Sequence, residues 1–127
     1  RVELIPDSGG TGQYRGGCGL RKDIELLADE ATITLLGDRH KFAPYGLLGG
    51  NPGAKAQTIL NPDGAAEALG SKSVHQLKRG DVVSFRLAGA GGYGNPADRD
   101  HEAIKRDLAD ELISPEHARE NYGVDLD

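Results

Sequence analysis

The sequence predicts an α+β fold that is mostly β: antiparallel strands over residues 2–88, forming a barrel- or sandwich-like sheet, followed by two short helices. Three observations predict it. Several short runs before residue 88 alternate apolar and polar residues. Glycine fills 19 of 127 positions while only 37% of residues are apolar, with two Phe, four Tyr and neither Trp nor Met, the composition of a loop-rich β domain. After Pro96 the period becomes helical, with Ile104, Leu108 and Leu112 at i, i+4 and i+8. A chain of this size buries roughly 65–70% of its unfolded surface, enough for one core. We therefore expect one domain over residues 1–127, with a β-rich body (1–97) and a helical, acidic tail (98–127).

The elements follow in order. Val2 to Ile5 is a short strand stopped by Pro6. Asp7 to Gly12 and Gly16 to Gly19 are glycine loops that could hold neither a helix nor a central strand. From Leu20 the spacing is two: Leu20, Ile24, Leu26 and Ala28 share one face, and Arg21, Asp23 and Glu25 the other. Ala31 to Leu36 is a second strand, rich in β-branched residues, and Asp29-Glu30 fits a hairpin turn between the two. Residues 37–54 are irregular, too long for an ordinary connection, and point to a functional or interfacial loop. Lys55 to Leu60 is a strand closed by the turn Asn61-Pro62-Asp63-Gly64. Val74 to Leu77 and Val82 to Leu87 form a hairpin around Lys78-Arg79-Gly80-Asp81. That makes five or six strands. Asp98 or Asp100 caps the first helix, Leu108 and its stripe facing the sheet. Ser114-Pro115-Glu116 opens the second, and Gly123 ends it.

Net charge is −5, unevenly divided. Residues from Asp98 onward hold four basic and ten acidic side chains, and residues 1–97 eleven and ten. No basic face is available for nucleic acid or an anionic membrane. No run approaches the roughly 20 apolar residues of a membrane span. A single Cys18 forms no internal disulfide, which favours a reducing, cytoplasmic setting. A chain that starts at Arg1 and holds no Met reads as a piece of a longer protein, and the first residues lack a secretory h-region.

Several motifs fall short of a chemistry. Asp7-Ser8-Gly9-Gly10 has the form of a trypsin-like nucleophile loop, but only seven residues precede Ser8, leaving no room for the upstream His and Asp. A turn braced by an Asp or Ser side chain accounts for it. Gly89-Ala90-Gly91-Gly92-Tyr93-Gly94 fits G-x-G-x-x-G, but Pro96 intervenes and no later strand closes a βαβ unit. His40, His75, His101 and His117 never stand at metal spacing from one another or from Cys18, so no metal site is assigned to this chain. Arg15, Arg39 and Lys72 stand in or beside glycine loops, where a fixed cation and bare backbone donors suit an anionic or carbonyl oxygen. Pairing with a loop acid such as Asp7 or Asp38 is the competing role. Gly10, Gly17, Gly50 and Gly92 are expected to include positions at positive φ.

Taken together the loops resemble the last quarter of the hydantoinase B/oxoprolinase family. The likeness runs through Asp7-Ser8-Gly9-Gly10-x-Gly12, Arg15-Gly16-Gly17-x-Gly19, Asp38-Arg39, Gly46-Leu47-x-Gly49-Gly50-x-Pro52-Gly53, Ser71-Lys72, Leu77-Lys78-x-Gly80-Asp81 and Gly91-Gly92-Tyr93-Gly94-Asn95-Pro96, in that order. It continues into a helical tail ending Tyr122-Gly123-Val124. Ala90 stands where another Gly is frequent, Asn95 where Asp is, and Cys18 where a bulkier residue is. The resemblance implies the C-terminal part of the B-type subunit of an ATP-dependent cyclic amide hydrolase. Such enzymes open hydantoin, N-methylhydantoin or 5-oxoproline rings, and ketone carboxylases are relatives. It implies ATP and a divalent metal in the intact enzyme but neither in this piece, and an A-type subunit or fused domain as partner. Substrate- or interface-loop residues would be Asp7, Ser8, Arg15, Asp38, Arg39 and Lys72. The catalytic residues would lie mainly upstream, and the piece would be inactive alone. The reading from a different class is a stand-alone β-barrel that binds a small ligand without catalysis.

Overall fold

The computed structural model describes residues 1–124. It contains seven strands: β1 (Val2–Leu4), β2 (Leu20–Glu25), β3 (Glu30–Leu36), β4 (Gln57–Leu60), β5 (Glu67–Leu69), β6 (Lys72–Lys78) and β7 (Val82–Arg86). A 3-10 turn at Pro96–Asp98 leads to α1 (His101–Ala109) and α2 (Pro115–Tyr122). All pairings between these strands are antiparallel, and the class is mostly β as the sequence predicts. The strands form an open five-stranded sheet in the order β1-β2-β7-β4-β5 and a separate ribbon, β3-β6. The arrangement is thus sandwich-like and not a closed barrel. The ribbon lies over the β4–β7 half of the sheet. Thr34, Leu35 and Leu36 share a cavity of about 250 Å³ with Thr58 and Phe85.

Two expected hairpins are absent. β2 pairs with β1 and β7, and β3 with β6, so Leu26–Asp29 is a crossing between sheets and not a hairpin turn. Likewise β6 and β7 are consecutive but unpaired, and the tight turn between them changes sheets. The two crossings run side by side and satisfy each other. The Leu26 amide donates to Asp81 O, that of Gly80 to Leu26 O and that of Arg79 to Asp29 O. Asp81 locks this corner by accepting from the Lys78 amide and from Asn61 Nδ2, contacts that hold its carboxyl below the usual range. Alternation alone could not distinguish a hairpin from such a corner, because both leave the same pattern in each arm. The short β5 also lies outside the expected set.

The face assignment of β2 is reversed at its centre. Ile24 is 47% exposed, whereas Arg21 and Asp23 are sheltered, at 15% and 11% of their side-chain surface. They can be sheltered because they form a two-point ion pair, Nε–Oδ1 3.1 Å and Nη2–Oδ2 2.9 Å. The ribbon does not extend over β1 and β2, which leaves Val2, Leu4 and Ile24 open.

The helical tail carries its own small core of Ile104, Ile113 and Ala118, with Leu108, Tyr122 and Val124 against it. The caps are as expected: Asp100 accepts from the Glu102 amide, Ser114 from the His117 amide, and Gly123 closes α2 at φ 65°. The inward stripe is corrected in two respects. Helix α1 ends at Ala109, and Glu111 at φ 56° reverses the chain, so Ile113 enters the core in place of Leu112. That cluster packs between the helices and not on the sheet.

The glycine loops are woven through one another. Gly10 N donates to Ala90 O, Asn51 N to Thr11 O, Gly92 N to Asn51 O and Leu47 N to Gly92 O. Tyr14 and Leu47 flank Tyr93 as isolated bridges, antiparallel and parallel. The expectation of positive φ at Gly10, Gly17, Gly50 or Gly92 is wrong: the glycines at positive φ are Gly49, Gly80, Gly94 and Gly123. Space is what excludes a side chain. A Cβ on Gly50 would stand 2.2 Å from Gly92 O, and one on Gly89 only 1.8 Å from Ser8 O.

Gly17 is the contrast, with open space where a Cβ would be. Gly89→Ala is therefore expected to cost at least about 3 kcal/mol in chemical denaturation. Gly17→Ala is expected to lie between no effect and a gain of about 1 kcal/mol. Equal costs would mean that backbone crowding does not set the stability of the weave. Leu108→Asp is expected to cost roughly 2–4 kcal/mol by setting an unpaired charge beside the tail core; a loss under about 1 kcal/mol would show that α1 does not dock through that face.

Candidate functional site

The seam between the woven loops and the helical tail gathers three of the six residues expected at a site. Ser8 is almost wholly buried, and its hydroxyl is used within the loop, donating to Ile5 O at 2.5 Å and accepting from the Gly19 amide at 2.7 Å. A hydroxyl so engaged braces a turn and is no nucleophile. Asp7, at φ 61°, reaches the other way. Its Oδ1 accepts from the Ser114 amide at 2.7 Å and lies 3.7 Å from His117 Nδ1, while its own amide donates to Leu112 O. It thereby fixes the start of α2 on the loop.

Arg15 finds neither loop acid. It makes a two-point pair with Asp107 of α1, Nε–Oδ2 2.9 Å and Nη2–Oδ1 3.2 Å. Arg99 binds the same carboxylate, Nη2–Oδ2 2.7 Å, and donates to Gln13 O. All three side chains retain only 10–13% of their exposure. Burial pushes the Asp107 carboxyl up, but the hydrogen bonds and charges of Arg15 and Arg99 outweigh it and hold it below its ordinary value. The Asp107 hydrogen bond correspondingly raises Arg15. Tyr122 lies beside them, its hydroxyl pushed up by burial and its ring 5.9 Å from the Arg99 guanidinium. Cys18 is half-buried, its Sγ 3.6 Å from Arg15 Nη1.

The other expected residues are elsewhere. Lys72 Nζ binds Asp38 Oδ1 at 3.1 Å and Gly37 O at 2.8 Å, both side chains exposed at the end of the ribbon. Arg39 follows at φ 62°, exposed, with its carbonyl accepting from the Ala56 amide. His40 turns inward instead, Nε2 at 3.4 Å from Thr58 Oγ1. The structure thus brings Asp7, Ser8 and Arg15 to one seam and Asp38, Arg39 and Lys72 to another place. Asp107 and Arg99 were not anticipated. A signal was present for Asp107, which stands beside Leu108 and three residues after Ile104, an acid within the apolar stripe.

Many of the loop glycine amides are already taken up within the weave. Here the amides of Gly10, Gly16, Gly50, Gly53, Gly89 and Gly92 donate to backbone carbonyls, and that of Gly19 to Ser8 Oγ. Among the described residues no group of three or more His, Cys, Asp or Glu side chains could hold a metal ion. No helix among them is long and apolar enough to cross a membrane.

The depressed Asp107 carboxyl contributes stability that is full above its unfolded value near 3.8 and lost as pH falls through the lower folded value. Asp107→Asn is expected to cost roughly 2–4 kcal/mol at pH 7, because two buried guanidiniums lose their counter-ion. The gap to wild type should narrow in thermal melts as pH drops from about 5 to 3. A gap independent of pH would show that the pair is not a charge pair in solution.

The family model for Hydantoinase B/oxoprolinase matches residues 1–96. Across 97% of its length the chain is 38% identical to an uncharacterized protein of Methanocaldococcus jannaschii, covering 22% of that protein. It is 29% identical over its whole length to the caprolactamase subunit beta of Pseudomonas jessenii, covering 23% of it. The crystal structure of the ATP-dependent caprolactamase from the same organism superposes with a TM-score of 0.76 at 28% identity, over 100% of this chain and 23% of the other. A nucleotide-free acetone carboxylase gives 0.78 at 22% identity over 97% of this chain and 21% of the other, a likeness of fold. The chain thus spans about a fifth to a quarter of the length of these relatives. A family match across most of the chain, continued by whole-length likeness into the helical tail, is conclusive: the chain belongs to the hydantoinase B/oxoprolinase family.

Proposed function

We propose that these residues are the C-terminal part of the B-type subunit of an ATP-dependent cyclic amide hydrolase, acting on a hydantoin, N-methylhydantoin or 5-oxoproline ring. Family membership and likeness to a caprolactamase subunit support the reaction class. The partner is then an A-type subunit or fused domain, together with the rest of the B-type chain, in a reducing, cytoplasmic setting. The engaged glycine donors carry the division of labour. Loops with many of their glycine amides engaged in this way can frame a site rigidly. ATP, which makes an amide oxygen a leaving group by phosphorylating it, and the divalent metal both belong to the other parts. This piece positions and encloses.

Within that frame Arg39 is the loop cation best placed to meet a substrate or a subunit seam. It is exposed, its side chain makes no hydrogen bond among the described residues, and its backbone sits at φ 62°, where a non-glycine residue is uncommon. Asp38 and Lys72, paired beside it, brace that loop.

Two measurements test this. Residues 1–127 alone are expected to open none of the three rings with ATP, and mixing with the upstream part and the A-type partner should restore turnover. ATP-dependent turnover by the piece alone would place the active site here and overturn the assignment. In the intact enzyme Arg39→Lys is expected to lower kcat/KM at least about tenfold, through loss of the planar fork. Unchanged kinetics would leave Arg39 as a surface residue of the loop.

A further inference from the structure

We propose that Arg86 is a binding site for a carboxylate, in the cavity between the five-stranded sheet and the turn after α1. Arg86 ends β7, and its ladder partners are Arg21 on β2 and Gln57 on β4, so the three side chains share one face of the sheet. That face opens on a cavity of about 600 Å³, where Glu3, Arg21 and Arg86 face the turn Asp110–Leu112.

What sets Arg86 apart is the lack of a counter-ion. Each of the other sheltered arginines has one: Arg15 and Arg99 share Asp107, and Arg21 holds Asp23. Arg86 makes no ion pair within 4 Å among the described residues, and its Nε is buried without a hydrogen-bond partner. The acids on the shared face are already engaged, Glu3 by Arg1 and Arg21 and Asp23 by Arg21. Two guanidiniums directly opposite across a ladder repel, and a partly desolvated cation without an anion is costly. A single carboxylate bound through the Arg86 fork removes both costs.

The walls choose among anions. Glu3, Asp110 and Glu111 line the same cavity alongside Arg1, Arg21 and Arg86, leaving no surplus of positive charge for a dianion. They oppose a dianionic phosphate more strongly than a monoanionic carboxylate. The carboxylate has two possible sources: a free carboxylate small molecule, or an Asp or Glu side chain from polypeptide beyond these residues.

The test uses the full-length polypeptide that carries these residues, with sodium acetate as probe, sodium phosphate and sodium chloride as controls at fixed ionic strength, and the melting midpoint as readout. For a free ligand, acetate should raise the wild-type midpoint by about 2 °C or more over chloride, phosphate should raise it less, and Arg86→Gln should abolish the response. For a side chain already seated, acetate should do nothing. Arg86→Gln should then melt lower than wild type at pH 7, with the gap closing below about pH 4 as the carboxylate protonates. Should Arg86→Gln not fold, Arg86→Lys replaces it, and loss of the acetate response, or of midpoint in a pH-dependent way, supports the site. The proposal is overturned if variant and wild type respond to acetate alike, or if neither responds and their midpoints agree or differ by an amount that pH does not change.

Discussion

Backbone lying against backbone without intervening side chains is the constraint on which the rest of this molecule depends. A Cβ at Gly9, Gly16, Gly89 or Gly91 would stand about 2 Å from a carbonyl oxygen of a neighbouring loop. Strands this short, under a core this poor in large apolar groups, cannot fix so much irregular chain by burial alone. The weave instead exchanges hydrogen bonds among three distant segments, pairing buried loop amides such as those of Gly10, Gly16, Gly89 and Gly92. Loops that in other proteins would be mobile are here part of the rigid body, and they hold Tyr14, Tyr93 and Leu47 outward on a three-strand rung.

The tail is joined to that weave by polar groups. Its apolar cluster closes on itself between α1 and α2. What connects it to the loops is Asp107 clamped by Arg15 and Arg99, Asp7 at the start of α2, and the Asp7 amide on Leu112 O. Such a joint is directional where an apolar one is not. Each guanidinium presents a planar fork to one carboxylate, which fixes the angle of α1 against the loop. The tail's surplus of negative charge is compatible with this because, among the described residues, Asp107 alone of its acids is buried.

The same economy shapes the functional reading. Glycine loops next to arginines invite comparison with an anion cradle, but an amide can serve one acceptor well at a time. Many of the loop amides serve one another, and two cations stand at the edges: exposed Arg39 at the end of the ribbon, and Arg86 in the cavity beneath the tail. Both are cations presented by a stiff frame, which suits a part that completes a site assembled from a longer polypeptide.

By itself the sequence determined the class, the order of most strands, the irregular stretch 37–54, both helices and their caps, because those follow from local periodicity and from hydrogen bonds between near neighbours. The ordered set of glycine motifs also carried the family. Tertiary structure alone decided which strands pair. β2 and β3, like β6 and β7, are adjacent in the chain yet belong to different sheets, since the corner at Asp81 and Leu26 turns them apart. It decided that Arg21 and Asp23 lie sheltered while Ile24 does not, because cover comes from elements remote in sequence. It also decided the role of the glycines. Composition suggested freedom of φ; the structure shows that what matters is the absent Cβ, a demand made by a neighbouring loop some 80 residues away at Gly89 and Ser8, and no local pattern records it.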